Sequence, residues 1–184
     1  MRGAEAVLSK AKLLGREVVI KERIRKNYRI AEIDSKLRKE RTRAEARLLH
    51  RAKLAGVLCP TVLEVDDFSI TMSFLSGDHP MMSRAQSMES GRMLASLHSA
   101  GIIHGDYTPV NLMLSNRKLF VIDFGLGFFS NDIEDKAIDV FTMVKALDRK
   151  KGEAFLDGYK ARNPKHESVF KRLKEVEKRV RYAQ

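Results

Sequence analysis

The chain has 184 residues, 43% hydrophobic and 32% charged, a size and balance for one folded unit or two lobes sharing a site, and not for a disordered chain. Its 35 lysines and arginines against 24 aspartates and glutamates give a net charge of +11, and its single cysteine, Cys59, excludes an internal disulfide framework and a multi-thiolate zinc site. No apolar run approaches the ~18 residues of a membrane span, and the opening residues lack the apolar stretch of a secretory signal, so a reducing cytoplasm and no membrane contact are expected.

The run Val18-Val19-Ile20-Lys21-Glu22-Arg23-Ile24 is β-branched and then alternating, which predicts a strand. A helix is expected over 33–53, where Ile33, Leu37, Ala44, Leu48, Leu49 and Ala52 recur at near-helical spacing. Pro60 closes that region. Thr61–Asp66 and Phe68–Leu75 predict two strands joined tightly at Asp66-Asp67, and Ser76-Gly77-Asp78 breaks the pattern. A helix over 84–100 carries Met88, Met93, Leu94 and Leu97 on one side, with Gly101 as its stop. Asn111–Leu114 and Lys118–Ile122 predict a short hairpin around Asn116-Arg117. From Asp135 onward the chain is expected to be helical. Asn163 is the expected N-cap of the last helix and Pro164 its first residue, ahead of a packing seam of Val169, Leu173, Val176 and Val180. A strand-rich front thus precedes a helix-rich back, and a cleft between two such lobes is a natural ligand site.

Charge follows the same division. Residues 21–53 hold 13 basic and 5 acidic residues, and 160–184 hold 9 and 3, whereas 54–159 hold 9 and 14. Solvated helix faces account for such basic ends, and so does contact with a polyanion such as RNA.

The segment that carries chemistry is His104-Gly105-Asp106-Tyr107-Thr108-Pro109-Val110-Asn111, followed by Val121-Ile122-Asp123-Phe124-Gly125. Asp106, Asn111 and Asp123 supply three oxygen-bearing side chains from loops flanking a short hairpin, and hard oxygens suit Mg²⁺ held together with substrate phosphates. Each residue alone could cap a turn or tie down a loop; three in register form a site. Lys21 is a cation inside an apolar strand, and Glu45 on the following helix could orient it toward anionic oxygens. The plainer alternative leaves Lys21 in water and Glu45 paired along its own helix. His50, His79, His98 and His166 show no metal spacing, Cys59 reads as a small core residue, and the methionines suit core filling.

These elements resemble the protein-kinase pattern. Val-Val-Ile-Lys is similar to the strand bearing the phosphate lysine, Glu45 to its helix partner, His-Gly-Asp-x-x-x-x-Asn to the catalytic loop and Asp-Phe-Gly to the metal loop. No G-x-G-x-x-G precedes Lys21, where Gly3-Ala4-Glu5-Ala6 stands instead. Gly105 replaces the arginine of many kinases, no Ala-Pro-Glu follows, and 15 residues separate Asp123 from Asp139. This set of departures resembles the small atypical kinases of the KEOPS (EKC) complex, the PRPK family of archaea and eukaryotes. The likeness runs nearly full length. It includes Gly3 to Ala6, Lys26-x-Tyr28-Arg29, Leu37, Arg41-Thr42-Arg43-x-Glu45-Ala46-Arg47-Leu48-Leu49, His104-Gly105-Asp106 and Glu134-Asp135-Lys136-Ala137-x-Asp139. The family's basic tail is shortened or missing after Val176-Glu177-Lys178-Arg179-Val180-Arg181.

The resemblance implies an α+β, compact bilobal protein-kinase-like fold, with a strand-rich N-lobe over about 1–75 and a reduced helical C-lobe over about 76–184, as a single kinase domain. It implies ATP and Mg²⁺ as cofactors. Asp106 is then the catalytic carboxylate, Asn111 and Asp123 hold the metal, and Lys21 contacts phosphates with Glu45 orienting it. The Ser73 carbonyl and Leu75 amide read adenine, and Gly3, Ala4, Glu5 and Ala6 cover the phosphates. Asp139 braces the catalytic loop, and His104 packs beneath it. The implied activity is an atypical Ser/Thr kinase or ATPase. It serves threonylcarbamoyl-adenosine formation in tRNA, with the threonylcarbamoyl-transferase subunit, other KEOPS subunits and tRNA as partners. A small-molecule phosphotransferase, sharing the His-Gly-Asp-x-x-x-x-Asn pattern, and a non-catalytic basic RNA- or protein-binding scaffold are the alternatives.

Overall fold

The computed structural model describes residues 6–182; Gly3, Ala4 and Glu5 lie outside the described residues. The chain opens with two antiparallel strands, β1 (Ala6–Leu13) and β2 (Arg16–Arg23), in register from Ala6 opposite Arg23 to Leu13 opposite Arg16. Leu14 and Gly15 between them both have positive φ, 48° and 75°, the two-residue turn whose twist matches a right-handed hairpin. Helix α1 (Ala31–Leu54) crosses to β3 (Val62–Val65) and β4 (Ser69–Ser73), and the sheet order is β1-β2-β4-β3.

Helix α1 has a buried face that differs from the apolar one expected. Leu48, Leu49 and Ala52 are buried, but Ile33 is 52% exposed. Asp34, Thr42 and Glu45 are buried in the same helix. Ion pairing moves the first turns of the helix around. Asp34 accepts Arg38 Nε at 2.7 Å and the Lys26 amide at 3.2 Å, so a buried carboxylate takes the inward position next to Ile33.

The second half begins with α2 (Arg84–Ser99), started by a capping box between Ser83 and Gln86. Strand β5 (Ile102–Ile103) and the 3₁₀ turn Pro109–Asn111 lead into the ribbon β6 (Leu112–Ser115) and β7 (Lys118–Val121). Asn116 and Arg117 turn that ribbon with φ of 48° and 62°. Strand β8 (Phe128–Phe129) pairs with β5, and three helices follow: α3 (Ile133–Ala146), α4 (Arg149–Arg162) and α5 (His166–Tyr182).

The last helix starts later than expected. The Asn163 side chain accepts the Lys165 amide at 2.9 Å and its carbonyl accepts the His166 amide at 3.1 Å. Pro164 therefore sits in the turn ahead of α5 and not at the first position of the helix. Val169, Leu173 and Val176 are buried as the seam predicts. One apolar core runs from Leu48 and Leu49 on α1, through Leu94 and Leu97 on α2 and Phe124, to Phe155 on α4 and Val176 on α5. A smaller cluster of Ala46, Ile70 and Met72 joins the sheet to α1.

Candidate active site

The alternation of β2 sends Val19, Lys21 and Arg23 to one face, and all three line a cavity of about 720 Å³ between the sheet and the second half. Lys21 Nζ donates to Glu45 Oε1 at 2.6 Å and to Asp123 Oδ1 at 2.7 Å. Burial by itself lowers the lysine pKa, but the two carboxylates outweigh it and hold the ammonium above its ordinary value of 10.5. Burial likewise favours a protonated Asp123, and the Lys21 charge outweighs it, so this carboxyl titrates below the ordinary 3.8. Lys21 is thus locked cationic between two anions, at the junction of strand β2, helix α1 and the loop that carries Asp123.

The other wall is built on Asp139 of α3. Its Oδ2 accepts the His104 amide at 2.6 Å and lies 3.3 Å from His98 Nε2, and its Oδ1 accepts the Gly105 amide at 2.9 Å. Gly105 has φ of 79°, and a Cβ there would fall 2.4 Å from the Leu126 carbonyl oxygen, so only glycine fits. His104 is fully buried. Its Nδ1 accepts the Asp106 amide at 3.4 Å, which leaves Nε2–H to donate to the Ile122 carbonyl at 3.1 Å. Burial holds this imidazole below 6.5, against the pull of Asp139, so it is a neutral loop pin. Asn111 Nδ2 donates to both the Asp106 carbonyl and Asp106 Oδ2, each at 2.8 Å. The β6–β7 ribbon then returns the chain so that the Ile122 amide meets the Asn111 carbonyl at 2.9 Å, and Asp123 follows in the left-handed region with φ of 59°.

Of the residues singled out from sequence, Lys21, Glu45, Asn111 and Asp123 line one cavity, and Asp106 is hydrogen-bonded to Asn111 at its edge. Ala6, Ser73 and Leu75 line the same cavity with Val19, Met72 and Met113. Ser73 Oγ accepts the Thr61 amide at 2.9 Å, which ties β4 to the segment before β3. Arg23 was not among the expected site residues. It is 4% exposed, lines the cavity and donates to Glu45 Oε2 at 2.6 Å. The strand alternation that exposes Lys21 to the cleft also carries Arg23 there, two residues on.

The donor set suits a magnesium ion that arrives with phosphates. Asn111 spends its amide hydrogens on Asp106, so its Oδ1 is the atom left to coordinate, and Asp123 offers a carboxylate whose side chain is 54% exposed to the cleft. Among the described residues no group of three or more His, Cys, Asp or Glu side chains could cage a metal alone. Two or three hard oxygens completed by water and phosphate are what this ion takes.

A cation from the sheet and carboxylates from the helical side, meeting across one cleft, is the construction of the protein-kinase-like phosphotransferases. The Rio2 kinase of Chaetomium thermophilum has the same fold, with a TM-score of 0.68 at 15% identity, over 100% of this chain and 72% of that one. The RIO domain family matches residues 16–128. A probable serine/threonine-protein kinase BUD32 homolog of Archaeoglobus fulgidus is 44% identical over 91% of this chain and 89% of its own length. The KEOPS complex subunit Bud32 of Pyrococcus abyssi is 39% identical over 90% and 84%. A probable bifunctional tRNA threonylcarbamoyladenosine biosynthesis protein of Methanosarcina acetivorans is 37% identical over 92% of this chain, which spans 32% of that longer protein. The chain belongs to the RIO domain family and, within it, to the Bud32 kinases.

Proposed function

We propose that this chain is an ATP- and magnesium-dependent phosphotransferase with ATPase activity, a single bilobal kinase domain working in the cytoplasm as a KEOPS subunit in threonylcarbamoyl-adenosine formation. The observation that carries this is Lys21, held at 2.6 Å by Glu45 and 2.7 Å by Asp123, in the cavity beside Asn111 and the Asp106 loop. Lys21 exchanges the Asp123 oxygen for phosphate oxygens, while Glu45 keeps the ammonium pointed into the cleft. Asp106, steered by the Asn111 amide, accepts the proton of the attacking hydroxyl or water. Asn111 and Asp123 would hold a magnesium ion, which would supply neutralisation of charge on the phosphate oxygens. Ser73 and Leu75 read adenine from the β4 side, and Ala6 at the start of β1 lines the same cavity.

The acceptor follows from what lies beyond Asp123. Strand β8 pairs with β5 at once, and α3 starts at Ile133. That leaves little surface to seat a peptide, so water is the main acceptor and turnover serves the assembly. The basic faces of α1 and α5, with Arg43, Arg47 and Arg172 in water, suit tRNA or an acidic face of the threonylcarbamoyl-transferase subunit.

The test is ATP hydrolysis by the pure chain, with and without tRNA and the transferase subunit. Asp106→Ala and Asp123→Ala are each expected to lower turnover by at least about a hundredfold, with circular dichroism unchanged. Unaltered turnover in both variants overturns the assignment.

A further inference from the structure

The Glu45 carboxylate has two cations, one on each oxygen: Lys21 on Oε1 and Arg23 on Oε2, both at 2.6 Å. Lys21, Arg23 and Asp123 converge on one place. A Cβ built on Gly125 would lie 3.0 Å from Asp123 Oδ1, 3.4 Å from Lys21 Nζ and 3.6 Å from Arg23 Nη2. We propose that Arg23 is a positioning residue for phosphoryl transfer: it holds the second oxygen of Glu45, so that Lys21 is aimed by the first alone and can turn to the phosphates without releasing helix α1.

The argument starts from what a single pair would do. A carboxylate facing one ammonium can rotate and wrap it with both oxygens, drawing the lysine back toward the helix. A guanidinium on Oε2 blocks that rotation, because a charge-assisted bond there fixes the plane of the carboxylate. The Arg23 backbone is itself anchored. Its amide donates to the Phe68 carbonyl at 2.8 Å, and its carbonyl accepts Arg38 Nη1 at 3.2 Å, with Arg38 held by Asp34 at 2.7 Å. Strand β2 and helix α1 are therefore joined through Glu45 by two ionic links, and both remain when Lys21 exchanges the Asp123 oxygen for phosphate oxygens. The inference rests on the phosphotransferase reading and adds a residue to it.

Two substitutions separate aim from bulk. Arg23→Gln removes the charge and is expected to cut kcat for ATP hydrolysis about tenfold, with nucleotide Kd changed less than about threefold. Arg23→Lys keeps the charge and is expected to retain at least about a third of wild-type kcat. Because Arg23 works through Glu45, Arg23→Gln added to Glu45→Gln should leave the Glu45→Gln turnover within about twofold. This comparison also decides the matter if Arg23→Gln alone does not fold, since the double variant removes both members of the pair. Wild-type turnover in Arg23→Gln overturns the inference. Equal damage from Gln and Lys, or a further loss in the Glu45→Gln background, also overturns it, the latter by making Arg23 a direct phosphate ligand. A wild-type chain without ATP turnover overturns the proposed function as well, whereas an active wild type with an indifferent Arg23 sinks this inference alone.

Discussion

Gly91 on α2 and Gly158 on α4 let two helix backbones touch, and adding one carbon there should show how tightly the catalytic half is clamped. A Cβ on Gly91 would lie 2.0 Å from the Phe155 carbonyl oxygen and 2.7 Å from the Tyr159 nitrogen, and one on Gly158 would lie 1.9 Å from the Met88 carbonyl oxygen. Both obstacles are backbone, so no rotamer relieves them, and Gly91→Ala forces the helices apart by on the order of 1.5 Å to regain ordinary contact. Overpacking of this kind costs about 1–3 kcal/mol, with the upper end expected where backbone is struck. Alanine in place of glycine inside a helix returns about 1 kcal/mol. The net loss expected is about 2 kcal/mol, or roughly 4–8 °C in Tm for a chain of this size. Turnover should fall with it, because the Tyr107 hydroxyl donates to the Ser90 carbonyl at 2.9 Å, one residue from the substitution, and Tyr107 follows Asp106 directly. Gly152→Ala on the same α4 is the control. Its Cβ meets nothing closer than Val144 Cγ1 at 3.8 Å, so the fold should hold or gain. Thermal and urea melts of both variants read the difference. A Gly91→Ala protein as stable as wild type, or raised like Gly152→Ala, would refute the close approach.

Two further outcomes concern titrating groups. Burial holds the His98 and His104 imidazoles below 6.5 in the folded chain despite Asp139, so the unfolded chain binds protons that the native one refuses. Stability should therefore fall as pH drops through about 6.5 and below, and urea midpoints between about pH 7.5 and 5.5 that do not move would contradict this. Cys59 is 1% exposed and its thiol is pushed up to about 11 by burial. A thiol reagent at mildly alkaline pH should label it only in denaturant, and fast stoichiometric labelling of the native chain, read by mass, would be the opposite result.

The site was legible wherever a residue type had no structural excuse. A lysine in the run Val18-Val19-Ile20-Lys21 and three oxygen donors at fixed spacing demand a ligand or an ion pair, and they come together across 102 positions, from Lys21 to Asp123. The Asn116-Arg117 turn was equally plain, because it separates two apolar runs at hairpin length. Burial on α1 was harder to read. Periodicity scores apolar residues, and the inward face of that helix uses Asp34, Thr42 and Glu45, whose burial depends on partners distant in sequence. Arg23 escaped for the same reason: an arginine on an alternating strand looks solvated until a buried glutamate is placed opposite it. Pro164 misled because a first-turn proline and a pre-helix turn proline share the same fixed φ. The split of α3 from α4 rests on Asp148, whose side chain caps α4 through the Lys151 amide at 3.0 Å.

The inner quartet of Lys21, Arg23, Glu45 and Asp123 sums to zero, so the surplus of +11 is carried wholly by the rest of the molecule. On the proposed function, attraction at a distance and discrimination at contact fall to different regions. Added salt should weaken capture of a large anion on the outside, over the ~10 Å reach of unscreened charge, while leaving the swap of one carboxylate oxygen for a phosphate oxygen at Lys21 almost indifferent to ionic strength.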